Sequence, residues 1–138
     1  ELKVKIYSIR GKLEVTWRED VEAVVDAWSN YVVTLEEFRE AVLVKGMGYA
    51  RSHGGVAWIV DSSVAKGALS KEIKAFIDSD VFPVFARNGI KYFITITSQV
   101  SAITRMTVSS YSEAGHHGIK LLEAKSVEEA VMWLKANS

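Results

Sequence analysis

The sequence contains no cysteine, only one proline and no long hydrophobic run, and its charges balance. Without cysteine, the chain forms no disulfide, no thiolate metal site and no cysteine nucleophile, which fits a reducing cytoplasm. A helix that crosses a membrane needs roughly 20 apolar residues, and no run here approaches that length. Lysine plus arginine and aspartate plus glutamate both number 17, so no global positive field attracts nucleic acid. We therefore expect a cytoplasmic protein with no membrane span and no nucleic-acid partner.

The length and composition are those of an ordinary globular domain. The 138 residues include 49% hydrophobic and 25% charged residues, values typical of one compact unit. We find no internal repeat, linker or low-complexity stretch. The sequence therefore predicts a single domain over residues 1–138.

Alternating and β-branched stretches predict strands throughout the chain. Residues 12–32 have the pattern of an antiparallel hairpin. One alternative is open there, because Val21, Val24, Val25 and Trp28 also have helical spacing. We favour the strand, since Ser29, Asn30 and the next helix start follow at once. The predicted strands cover residues 3–8, 12–18, 21–32, 56–60, 90–97 and 119–124.

Four helices are predicted from their start signals. Thr34 with Glu37, and Ser126 with Glu129, have the spacing of capping boxes, and Ser70 and Ser98 are further N-caps. The only proline, Pro83, should kink or split the second helix, because it lacks an N–H and clashes with the preceding turn. The first helix should end near Ser52. Helices that alternate with strands predict an α/β fold with a mixed sheet of about five or six strands.

The stretch Gly55–Ser63 is the predicted centre of the sheet. Its apolar run, Val56 to Val60, is typical of a strand buried on both faces. Asp61, Ser62 and Ser63 follow at the carboxyl end, where open α/β sheets bind ligands. Two interpretations are open: these side chains shape the local turn, or they line a polar crevice with two residues at the end of the next strand. Those two residues are Thr97 and Ser98.

Aromatic residues on the second helix and the strands allow three further interpretations. Phe76, Phe82 and Phe85 lie on the helix, whereas Trp58, Tyr92 and Phe93 lie on strands that it can cover. They form a plain hydrophobic core, the wall of a lidded pocket for a small apolar ligand, or an exposed patch for a partner or for self-association. We include Trp58 and Phe82 among the candidate binding residues for this reason.

Several of these patterns resemble the STAS fold of anti-sigma-factor antagonists, and more closely a group of small bacterial proteins described as SpoIIAA-like. The resemblance covers roughly residues 12–136, and it specifies a fold better than an activity. It implies a fold also compared with lipid-binding CRAL-TRIO domains. The residues that carry it are Trp17, Trp28, Thr34-Leu-Glu-Glu-Phe-Arg39, Ala57-Trp-Ile-Val-Asp61, Val81-Phe-Pro83, Asn88-Gly-Ile-Lys91 and Val127-Glu-Glu-Ala-Val-Met-Trp-Leu134.

The same resemblance implies a candidate phosphorylation site. Anti-sigma-factor antagonists carry an Asp-Ser-Ser-Gly turn whose serine is phosphorylated by a partner kinase. Asp61, Ser62 and Ser63 are similar to that turn, so Ser62 and Ser63 are the candidate phosphoserines. Val64 stands where the glycine would be, and the triplet follows the strand directly, which departs from the family pattern.

The sequence best fits a non-catalytic cytoplasmic module that binds a protein partner or a small apolar ligand near Asp61–Ser63. The alternative is a small enzyme that uses Asp61 as an acid or base, although no paired group supports it. We predict no cofactor. We also predict no metal site, because His116 and His117 point apart in an extended segment and His53 ends a different helix. The sequence leaves open whether the chain forms a homodimer.

Overall fold

The structure, a computed structural model, describes residues 3–96 and 118–137. The described strands form one six-stranded sheet whose spatial order follows the chain, from β1 at one edge to β6 at the other. The first three strands pair antiparallel, and the last four pair parallel. The predicted α/β class, mixed sheet and antiparallel hairpin are confirmed. The strands are β1 (Lys3–Ile9), β2 (Leu13–Arg18), β3 (Ala23–Trp28), β4 (Ala57–Asp61), β5 (Tyr92–Ile96) and β6 (Lys120–Ala124).

Strand β3 settles the alternative that the sequence left open for residues 21–28. Val24 pairs with Trp17 of β2 on one side and with Trp58 of β4 on the other. The strand therefore joins the antiparallel and parallel halves of the sheet. A helix there would leave both neighbours without a partner, so the helical interpretation is wrong.

Three helices lie in the described part of the chain. Helix α1 spans residues 35–52 and is α-helical over Leu35–Arg39 and Met47–Ser52, with a π-helical segment over Glu40–Gly46. Helix α2 spans residues 71–87 and is built in the same way. Helix α3 covers Val127–Ala136. The predicted helix that starts at Ser98 falls outside the described residues.

The π-helical segment of α2 lies where the proline was expected to disturb the helix. It covers Ile77–Val81 and is followed by Pro83 in the first turn of the next α-helical segment, Phe82–Arg87. The N–H of Phe82 bonds the carbonyl of Ile77, five residues earlier. Because Pro83 has no N–H to donate and clashes with the preceding turn, widening the helix just before it lets the chain continue without a break.

Each face of the sheet is covered by different helices. Helices α1 and α2 follow β3 and β4 and pack on one face, which we call the α1–α2 face, whereas α3 packs on the other, the α3 face. The α1–α2 face holds the larger core, with Trp17, Trp28 and Trp58 all buried. The α3 face holds a smaller core around Ile59, Ile94 and Leu134. The central position of β4 is thus as predicted, buried on both faces.

The cap of α1 gives a first testable prediction. Thr34 Oγ1 accepts from Glu37 N at 3.0 Å, and Glu37 Oε1 accepts from Thr34 N at 2.9 Å. We expect Thr34→Ala to lower the free energy of unfolding by about 1 kcal/mol, because the substitution leaves Glu37 N without its acceptor. Urea denaturation measures the change. Thr34→Ser keeps the hydroxyl and should retain most of the stability; an equal loss in both variants would contradict the capping role.

Candidate functional site

The predicted site at the end of β4 is divided between the two faces of the sheet. Successive side chains of a strand point to opposite sides. Asp61 therefore lies on the α3 face, where it lines a shallow cleft with Ala27 and Val127. Ser62 instead meets Tyr31 on the α1–α2 face. The triplet does not form one crevice. Thr97 and Ser98, which were predicted to complete such a crevice, fall outside the described residues.

Asp61 shapes the turn that leaves β4. Its Oδ1 accepts from the backbone N–H of Ser63 at 3.0 Å and from the Ser63 hydroxyl at 2.7 Å. An aspartate that bonds the backbone two residues on is a common turn device. This geometry agrees with the turn-shaping interpretation and gives no support to Asp61 as a catalytic acid or base.

The two candidate phosphoserines differ in exposure. The Ser62 side chain is 0% exposed, and its hydroxyl shares a short hydrogen bond with the Tyr31 hydroxyl. A kinase cannot reach that oxygen in this conformation. Ser63 is half-buried and lies at the surface of the turn. Of the two, Ser63 is the one a modifying enzyme could contact without rearrangement of the loop.

Trp58 and Phe82 lie in the packed core under helices α1 and α2. The Trp58 ring lies 4.3 Å from that of Phe85, and the Phe82 ring lies 4.9 Å from that of Phe93. All four side chains are buried. Aromatic rings therefore fill the space between α2 and the sheet where the sequence allowed a ligand pocket. The packing of this region agrees with the interpretation of these residues as hydrophobic core.

The most unusual group of the molecule is Asp26 on β3, which was not among the predicted site residues. Its side chain is 1% exposed. Oδ2 accepts from the Trp58 indole Nε1 at 2.9 Å, whereas Oδ1 has no hydrogen-bond partner in the described part of the chain. The indole Nε1 of Trp28, two residues on, is likewise buried without a partner among the described residues. A buried carboxyl group with one free oxygen costs folding free energy unless it is neutral.

Burial alters the acid–base behaviour of this region. Loss of hydration raises the pKa of Asp26 to about 7, against the opposing effect of the hydrogen bond from Trp58. Burial also raises the pKa of the Tyr31 hydroxyl above its usual range, and the nearby charges of Asp26 and Asp61 act in the same direction. Tyr31 therefore stays protonated, whereas Asp26 titrates near neutral pH.

A signal for Asp26 was present in the sequence. Side chains of a strand alternate, so Val24, Asp26 and Trp28 share one face. Both neighbours on that face are large and apolar, which places the carboxylate in the hydrophobic core once β3 is accepted as a central strand. The identity of its partner, Trp58, depends on the register between β3 and β4, which the sequence does not specify.

Two loops at the carboxyl edge of the parallel strands are joined into one surface, which we call the loop pair (residues 29–34 and 62–70). Lys66 N donates to Ser29 O at 3.0 Å, and Tyr31 N donates to Lys66 O at 2.9 Å. These bonds fix the loops against each other. Val32 is 63% exposed and Val64 is 71% exposed, so the joined loops present two apolar side chains to solvent.

An open cleft of about 420 Å³ lies at the opposite, amino edge of the parallel strands. Three acidic residues line it, and two of them already have partners. Glu19 accepts from the Trp17 indole at 2.7 Å, and Asp20 pairs with Arg18 at 3.0 Å and with Lys135 at 3.3 Å. The hydrogen bond from Arg18 lowers the pKa of Asp20. The contact between Asp20 and Lys135 ties the β2–β3 turn to α3. Two of the three carboxylates that line the cleft are therefore engaged in structural contacts.

Comparisons with family models, curated proteins and solved structures return no match to this chain. The described residues include no helix that is both long and apolar enough to cross a membrane. Any functional proposal therefore depends on the geometry of the chain itself.

Proposed function

We propose that this protein is a non-catalytic cytoplasmic binding module that recognises a protein partner through the loop pair. The observation that carries the proposal is the exposure of Val32 and Val64 on loops that are otherwise fixed by hydrogen bonds. Exposed apolar side chains on an ordered surface lose water when a partner covers them and need little further ordering. The surface lies at the sheet edge where α/β proteins bind ligands.

The internal bonds of the loop pair support a preformed recognition surface. Val32 N donates to Asn30 Oδ1 at 2.8 Å, and Ala65 N donates to Ser62 O at 3.1 Å. At Gly67, which has a φ of +78°, a Cβ atom would lie 3.3 Å from Val32 Cγ2. The two loops are therefore in close contact near Val32. An apolar centre, Val32 and Val64, with the polar Lys66 and Ser63 beside it has the apolar core and polar rim of a protein interface.

The packing under α2 favours a protein partner over a small apolar ligand. A ligand between α2 and the sheet would have to displace the rings of Phe82, Phe85 and Phe93, which are buried against one another. The resemblance to STAS-like proteins, which remains a proposal for this chain, also points to the end of the central strand as a contact region. In such a module Ser63 is the candidate for phosphorylation.

The proposal is tested by charge substitutions on the loop pair. We expect Val32→Asp with Val64→Asp to lower recovery of the partner by about tenfold or more, because burying an unpaired carboxylate in an interface costs more than about 1.4 kcal/mol. Affinity enrichment followed by quantitative mass spectrometry, from cells that express the chain, measures the recovery. Circular dichroism checks that the variant stays folded.

Met132→Asp is the matched control, since Met132 on α3 is 69% exposed and lies outside the loop pair. This variant should recover the same partner as the wild type. Equal recovery by the wild type and the Val32/Val64 variant would overturn the proposal. A lipid-like molecule released from the native protein in a mass spectrometer would instead favour the apolar-ligand interpretation, and a dimer abolished by the loop substitutions would identify a second copy as the partner.

A further inference from the structure

The buried carboxyl group of Asp26 lies close to the carboxyl edge of the sheet. Asp26 pairs with Val60 of β4, and only Ala27 and Trp28 separate it from the end of β3. One of its oxygens is bonded to Trp58 and the other has no hydrogen-bond partner in residues 3–96 and 118–137. When this group ionises, its negative charge is held where water cannot solvate it.

The surroundings of Asp26 offer no positive charge among the described residues. Val15 of β2 and Val60 of β4 flank it in the sheet. Tyr31 is the titratable group electrostatically coupled to it, and Asp61 adds a second negative charge near Tyr31. No Lys, Arg or His of the described chain forms an ion pair with Asp26. The helices bury only apolar side chains and one glycine over this face: Phe38, Ala41, Val42, Gly46, Met47 and Ala50 on α1, and Ile73, Ile77, Val81, Phe82 and Phe85 on α2.

The loop pair adjoins Asp26 at the carboxyl edge, since the charge of Asp26 acts on the Tyr31 hydroxyl. Helices α1 and α2 cover the face of the sheet on which Asp26 lies. At the carboxyl edge, Tyr31 and Ser62 are buried, and their hydroxyl groups share one hydrogen bond. Both residues belong to the loop pair. Separating two loops breaks fewer contacts than lifting a helix, so hydration of the ionised carboxylate is expected at this edge.

We propose that ionisation of Asp26 opens the loop pair, breaking the Tyr31–Ser62 hydrogen bond and exposing the Ser62 hydroxyl. The closed loop pair, which is the preformed surface described above, belongs to the form in which Asp26 is protonated, and the loops open locally when Asp26 carries its charge. The elevated pKa of the carboxyl group, about 7, places this change near neutral pH. The consequence for partner binding depends on the proposed function, whereas the opening itself is measured on the isolated protein.

The experiment is native-state hydrogen exchange of the full chain at about pH 6 and pH 8.5, corrected for intrinsic rates and repeated in low urea. The informative amides are those of Tyr31 and Lys66, which bond across the loop pair. We expect their protection to fall by about tenfold or more in the wild type at the higher pH and to change little in Asp26→Asn. Because the opening is local, their exchange should be nearly independent of urea and faster than that of the β4 amides.

Two further variants make the test specific. Asp61→Asn also removes a carboxylate near Tyr31 but keeps an oxygen that can accept from Ser63, so it should retain the pH dependence of the wild type. Tyr31→Phe removes the hydroxyl bond to Ser62. At about pH 6, where the wild-type loop pair is closed, this variant should exchange its loop amides up to about tenfold faster than the wild type.

Two results would overturn the proposal. One is equal pH dependence of the loop amides in the wild type and in Asp26→Asn. The other is loop amides that share the rate and urea dependence of the β4 amides at both pH values, because the loops would then open only when the whole protein unfolds. The partner-recovery experiment does not affect these exchange results, so each of the two proposals can be rejected independently of the other.

Discussion

Asp26→Asn is expected to raise the free energy of unfolding by roughly 4 kcal/mol at pH 8. In the wild type, the pKa of Asp26 is raised from 3.8 to about 7 by burial. The folded state therefore binds a proton more tightly than the unfolded state. Stability from this group is fully present below the unfolded pKa and is lost as the pH rises towards 7. The side-chain amide in the Asp26→Asn variant is neutral at every pH and resembles the protonated carboxyl group.

The difference in the free energy of unfolding between the wild type and Asp26→Asn should depend on pH. The stabilities of the wild type and Asp26→Asn should be similar near pH 3, diverge by about 1.4 kcal/mol per pH unit between roughly pH 4 and 7, and remain apart above pH 7. Urea denaturation at a series of pH values measures both curves. Asp61→Asn serves as the control and should follow the wild type. A wild-type curve that runs parallel to that of Asp26→Asn across this range would show that Asp26 does not titrate with a raised pKa.

The second large effect is expected at Gly46 in the π-helical segment of α1. A Cβ atom there would lie 2.7 Å from Cη2 of Trp58 and 3.1 Å from the carbonyl oxygen of Ala41. The Trp58 ring cannot move away easily, because Nε1 is bonded to Asp26 and the ring packs on Phe85. We expect Gly46→Ala to destabilise the protein by about 2 kcal/mol, an overpacking cost of up to about 3 kcal/mol reduced by about 1 kcal/mol of helix propensity.

Gly48 provides an internal control two residues along the same helix. A Cβ atom at Gly48 would meet no atom of the described residues within 4 Å, apart from its own helix backbone and chain neighbours. Gly48→Ala should therefore stabilise the protein by about 0.5–1 kcal/mol, since alanine loses less backbone entropy in a helix. Thermal or urea denaturation of the two variants compares the signs. Stabilisation by both substitutions would contradict the close approach of Trp58 to Gly46.

Local signals in the sequence were sufficient for most of the described fold. The capping box at Thr34 marks the start of α1, and β-branched runs mark β4 and β5. Pro83 was expected to kink or split the second helix, and the structure shows the helix unsplit, with a π-helical segment just before the proline. That outcome depends on the tertiary packing of α2 and could not be derived from the proline alone. Likewise, the sequence does not indicate the close contact at Gly46, because the approach of the Trp58 ring depends on how α1 lies on the sheet.

The candidate site was less predictable than the fold. The turn-shaping interpretation of Asp61 needed only local spacing, and the structure agrees with it. The pairing of Tyr31 with Ser62 joins residues 31 positions apart, and no pattern within either loop indicates it. Asp26 was not predicted as a site residue, although its alternation with Val24 and Trp28 places it on the core face of β3. For Thr97 and Ser98, the prediction of a site remains a prediction.

The spatial order of the strands bears on how the chain acquires this structure. Every strand of the described sheet after β1 pairs with the strand that precedes it in the sequence, so no strand has to insert between two that are already paired. The sheet can therefore grow at one edge while the chain is still being synthesised, with β1 to β3 formed before β4 arrives. Asp26 would then be open to water until β4 and helices α1 and α2 cover it, which makes its burial a late event in folding.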